Sequence, residues 1–147
     1  MIAALTLLVF LLGAPVLPAL AADPTPYESV TESARIYNGE GAKTITGVIQ
    51  DTRTVTLKDG ESFMQMDVKT EQGLVPVHLA PVWYMEDQSH LFDVNKGRSV
   101  TVLGQDTEVQ GHQVFVAAEL TNEDKHQHLR LRHPSGVPAW AGSERVQ

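Results

Sequence analysis

From Lys43 onward the side chains alternate apolar and polar with a period of two, and that period commits the chain to β-strands. Residues 44–50 and 53–57 are rich in Thr, Val and Ile, with Asp51 and Thr52 between them. Gly47 stands inside the first run and predicts a bulge or sharp bend, because glycine lets a strand coil where a Cβ would clash. After a turn at 58–61, residues 63–70 place Met64, Met66 and Val68 on one face and Gln65, Asp67 and Lys69 on the other. The next turn is 71–73. Residues 74–79 then direct Val75, Val77 and Leu79 inward, which sends His78 outward.

The alternation stops at Pro81. Over residues 81–92, Val82, Met85, Ser89 and Phe92 recur near helical spacing, and proline suits a first helical turn. One short helix is expected there, ended by the turn at 95–97. Residues 98–103 form the next strand with Val100 and Val102 inward, and 111–120 another with Val114, Val116 and Ala118 on one face. Residues 129–132 and 137–140, around the Pro134-Ser135-Gly136 turn, read as a terminal hairpin. The expected fold is all-β with one short helix, a small five-stranded OB-type barrel in the order β-β-β-α-β-β plus that hairpin. Another small barrel or a β-sandwich is the competing architecture.

Residues 1–21 hold no charged side chain, and their apolar run 2–12 has the length of a secretory signal rather than of a bilayer span, which needs about 20 residues. Gly13, Pro15 and Pro18 suit an extended stretch, and Ala19-Leu20-Ala21 supplies a small-x-small cleavage pattern. A basic opening is missing, so the Met1 amine is the segment's one positive charge. The expected organisation is a signal peptide at 1–21, a flexible segment at 22–42, the barrel at 43–142 and a tail at 143–147. Localisation is then periplasmic or secreted, with no membrane span after cleavage.

Every charged side chain lies beyond the signal, giving a net charge of −7. That field repels nucleic acid, whose affinity for proteins comes largely from cations neutralising phosphates. With 0 cysteines the chain excludes disulfides, thiolate metal sites, CxxCH haem attachment and a thiol nucleophile. It carries no G-x-S-x-G, HExxH or phosphate loop either, so an enzyme is not expected. Asp67, Glu71, Glu86 and Asp87 read as solvated carboxylates.

The run Val77-His-Leu-Ala-Pro-Val-Trp-Tyr-Met85, with Leu129-Arg-Leu-Arg132 and Gly136-Val-Pro-Ala-Trp140, resembles a family of small exported bacterial OB-type proteins. Those carry a V-H-L-G-P-x-W-Y-L segment and an L-R-L-R…G-x-P-x-W ending. The likeness covers roughly residues 43–142 and departs at Ala80, where the pattern has glycine. More distantly the chain is similar to the domain shared by the magnetosome proteins MamS and MamX. That second likeness implies an iron or redox setting, without the haem-bearing part of MamX.

Two groups of residues are candidate sites. Trp83 and Tyr84 at the strand–helix junction, with outward-facing His78, form a possible ligand- or partner-binding face, since exposed aromatics on such folds stack on rings. The alternative is that Trp83 plugs one end of the barrel while Tyr84 hydrogen-bonds locally, with His78 a surface or backbone-bonded histidine. His126-x-His128 with His133 nearby is a candidate site for a transition-metal ion, because imidazole suits Zn²⁺, Cu²⁺ or Ni²⁺. Met64 and Met66 share the inward face and read as core. The leading expectation is a non-enzymatic periplasmic binding or protein-interaction module without a cofactor, its partner a protein or small ligand of the cell envelope. The alternative is a metal-handling accessory protein for iron or copper.

Overall fold

The computed structural model describes residues 36–58 and 60–141. The expected signal at 1–21, residues 22–35 of the N-terminal segment and the tail at 143–147 lie outside the described residues. Six strands appear: β1 (Lys43–Thr56), β2 (Ser62–Thr70), β3 (Gly73–Pro81), β4 (Ser99–Val109), β5 (His112–Asn122) and β6 (Gln127–Arg130). One short helix, α1 (Val82–Asp87), lies between β3 and β4.

The two runs expected on either side of Asp51-Thr52 are one strand. β1 pairs with β4 from Lys43 to Val48 and with β2 from Val48 to Thr56, so it bends to serve two neighbours. The ladder passes through Gly47 unbroken, and the irregularity falls between Ile49 and Asp51. Glycine is needed at 47 for another reason. A Cβ there would stand 2.2 Å from the Lys69 carbonyl oxygen, so its absence lets β1 coil onto the end of β2.

The sheet runs β3-β2-β1-β4-β5-β6, and β3 also pairs with β5. That parallel contact, through Val77 with Phe115 and His78 with Val116, closes five strands into a ring with β6 attached outside. Inside lie Ile49, Met66, Val68, Val77, Leu79, Val100, Val102, Phe115, Ala117 and Leu120. At about 25 cal/mol per Å² of apolar surface removed from water, this cluster is the main term holding a chain without cysteines.

On β5 Val114, Val116 and Ala118 share one face, as expected, but that face is not the one on the main core. Phe115 and Ala117 join the main core, while Val114, Val116 and Ala118 form a second cluster with Tyr37. The strand is buried on both faces, so its alternation carries no sign of which side is inner. The helix is shorter than the 81–92 span, because Pro81 closes β3 instead of opening α1. Phe92 is buried all the same. Of the terminal hairpin, β6 forms the first arm, and the return is a single bridge between Arg132 and Pro138. Hydrogen bonds from His133 N–H to Val137 O and from Ala139 N–H to Leu131 O flank it, while the Leu131 N–H is taken by Ala118 O on β5. Among the described residues no helix is long and apolar enough to cross a membrane.

Candidate functional site

Three polar residues stand side by side across the outer face of the ring. Arg53 on β1 is the register partner of Gln65 on β2, and Gln65 that of His78 on β3. Their neighbours Met66, Val77 and Leu79 point into the core, so strand alternation sends this row outward. Adjacent strands lie about 4.8 Å apart, which makes the row about 10 Å long. It floors a cleft of about 350 Å³ lined also by Val55, Leu57 and Pro76 and by residues of the β4–β5 turn from Val109 to Val114.

The two ends of the row are fixed differently. Asp67, expected to be solvated, is only 8% exposed, and it accepts Nη1–H and Nη2–H of Arg53 at 2.8 and 3.0 Å. This bidentate pair holds the guanidinium flat at the cleft edge. His78, expected to be exposed, is only 3% exposed. It does face away from the core, but Phe63 stacks on it at 4.8 Å and 20°. Burial, then the charge of Arg132, pushes its pKa down to about 3, so the imidazole is neutral at pH 7. Its Nε2 is buried and has no hydrogen-bond partner.

The segment after β6 packs against Phe63, the ring stacked on His78. Trp140 meets Phe63 edge-on at 6.2 Å and Tyr84 at 5.7 Å, and the Arg132 guanidinium lies 4.9 Å from the Trp140 ring centre. Arg132 is 1% exposed and donates Nη1–H to the carbonyl of Ala117 on β5. Burial lowers its pKa to about 9, which leaves it charged at pH 7. Trp140 Nε1 is a second buried polar atom without a partner.

The residues singled out from the sequence are therefore linked without forming an open platform. Tyr84 is 9% exposed, its phenol pKa raised by burial, and Trp83 is half-buried with its ring edge-to-face on Tyr84 at 5.9 Å. His78, Phe63, Trp140, Tyr84 and Trp83 make a continuous series of ring contacts, which is packing duty for the two junction aromatics. His126 sits in the β5–β6 turn with a left-handed backbone (φ 52), His128 on β6 lies 3.5 Å from Glu119, and His133 is 2.9 Å from the Ser135 hydroxyl. Among the described residues no group of three or more His, Cys, Asp or Glu is placed to hold a metal ion. Met66 is fully buried and Met64 packs against the core, as the alternation required.

Sequence reasoning missed Arg53, Gln65 and the packing role of Arg132 and Trp140. Arg53 and Gln65 occupy outward positions of alternating strands, but only the register, which depends on the bulge after Ile49, sets them side by side.

A comparison with curated proteins finds none that matches. The model of the MamS/MamX magnetosome protein family matches residues 41–127, more than half of the chain, and the chain belongs to that family.

Proposed function

We propose that this chain is an exported, non-enzymatic binding module of OB type that takes a small ligand or a partner segment in the cleft over His78. The ring order β1-β2-β3-β5-β4, with a helix between β3 and β4, supports the OB reading. The observation that carries the binding reading is the polar row Arg53–Gln65–His78 on the floor of a cleft whose lining sets Val55, Leu57, Pro76, Val109 and Val114 beside Gln110, His112 and Gln113. A few convergent polar groups in an apolar concavity of about 300–1,000 Å³ are what small-ligand sites have in common. Export is supported by the uncharged apolar run and the small-x-small pattern at 19–21. The binding test is amide-resolved NMR of residues 22–147 against a library of small polar fragments. Shifts clustering on Gln65, His78 and Val114 are expected, and shifts confined elsewhere would reject the cleft. For export, N-terminal sequencing of the chain from a periplasmic fraction should begin near Ala22.

A second reading, an accessory role in iron or copper handling, is favoured by the family membership alone. Elemental analysis of the chain purified from its native compartment separates the two. Stoichiometric metal is expected under this reading and none under the first.

A further inference from the structure

The cleft over His78 has an electrostatic character that selects among ligands. Arg53 stands at one end of the row with its guanidinium half exposed. Asp67 uses two of its five N–H donors, leaving three directed to other acceptors or to water. Beyond the other end lies Arg132, fully buried, and its charge adds to the larger effect of burial in disfavouring a proton on His78. A metal cation or an ammonium group entering beside His78 meets the same repulsion as that proton. An anionic oxygen meets a half-exposed guanidinium with donors to spare beside the Gln65 side chain. The walls of Val55, Leu57 and Val114 offer nothing to a second charge and suit an apolar body.

We infer that the cleft binds small organic anions with an apolar body, the carboxylate or equivalent oxyanion lying along the Arg53–Gln65–His78 row. This assignment of ligand class rests on the proposal that the cleft is the binding site. The charge order of the site excludes cations from the same place.

An isosteric series tests this directly: 3-phenylpropanoate, 3-phenylpropanamide and 3-phenylpropylammonium, titrated into residues 22–147 and followed by amide NMR. The carboxylate should perturb Gln65, His78 and Val114 and bind at least 10-fold more tightly than the amide, with no saturable shift from the ammonium. Arg53→Gln should bring carboxylate and amide to within about threefold of each other while the folded spectrum is retained. Equal or tighter binding of the amide or the ammonium at these residues would overturn the anion assignment and leave the binding module standing. Silence from all three probes at these residues would overturn both. Carboxylate preference unchanged in Arg53→Gln would also overturn the assignment, because the charge responsible would lie elsewhere.

Discussion

Arg132 and Trp140 form a buried cation–π pair, the guanidinium carbon 4.9 Å from the ring centre, and Trp140 in turn packs on Phe63, the ring stacked on His78. A desolvated pair of this kind contributes about 2 kcal/mol. The hydrogen bond from Arg132 to the Ala117 carbonyl adds roughly 1.5–3 kcal/mol, as bonds to charged groups do. Against these stands the cost of burying a guanidinium, which is of similar size or larger. Truncation and isosteric replacement should therefore diverge. Arg132→Ala, which also opens a cavity, is expected to cost about 3–4 kcal/mol in urea unfolding. Arg132→Met keeps the volume, sheds the buried charge and should cost less than half as much. Equal losses in the two variants would show that the charge itself holds the segment.

His78 makes the fold acid-sensitive. Its folded pKa of about 3 lies below the ordinary 6.5, so the unfolded chain binds the extra proton first. The stability tied to the neutral imidazole is fully present above about pH 6.5 and drains away as pH falls toward about 3. A gap of this size is worth on the order of 4 kcal/mol. His78→Phe should flatten the stability profile between pH 6 and pH 4, measured as urea midpoints at each pH. A parallel loss in wild type and variant would place the acid sensitivity in the carboxylates instead.

Gly47 and Gly104 are both required for space. A Cβ on Gly104 would lie 2.3 Å from the Val116 carbonyl oxygen and 2.6 Å from the Phe115 ring, matching the 2.2 Å clash at Gly47. Each alanine variant must push backbone apart and should cost about 2–4 kcal/mol in thermal or urea unfolding. Thr46→Ala, one residue from Gly47 with an exposed side chain whose hydroxyl meets that of Thr101, is the control and should cost under about 1 kcal/mol. Losses no larger than the control's would mean that β1 can shift away from Lys69.

These cases also show how much of the molecule could be read from the chain. Period-two alternation found the strands and the inward positions of β2, β3 and β4, since each of these has one face on the core and the signal is local. On β5 it grouped Val114, Val116 and Ala118 correctly but left the inner face unassigned, because Val114 and Phe115 are both buried and apolar residues fall on both faces. His78 was correctly turned away from Val77 and Leu79, yet it is buried with Phe63 stacked on its ring, a contact across strands of which a local pattern holds no record. The candidate cleft is hidden for the same reason. Its floor is a product of register across three strands, and that register turns on a bulge the residue types do not announce.

The Arg53–Asp67 pair offers the last test, because it ties stability to the cleft. Asp67 is nearly buried while Arg53 is half exposed, so the carboxylate loses more when the pair is broken. Arg53→Met should cost about 1–2 kcal/mol, chiefly by leaving Asp67 short of two donors. Asp67→Asn keeps the shape and should cost about 1 kcal/mol. In the double variant neither partner is left waiting, so the losses should fall short of additive by about 1 kcal/mol in a double-mutant cycle. A coupling near zero would show that solvent replaces the pair, as it does for most exposed ion pairs. Arg53 would then be free to swing out of the cleft, and the flat guanidinium at the end of the row would be lost as a fixed recognition element.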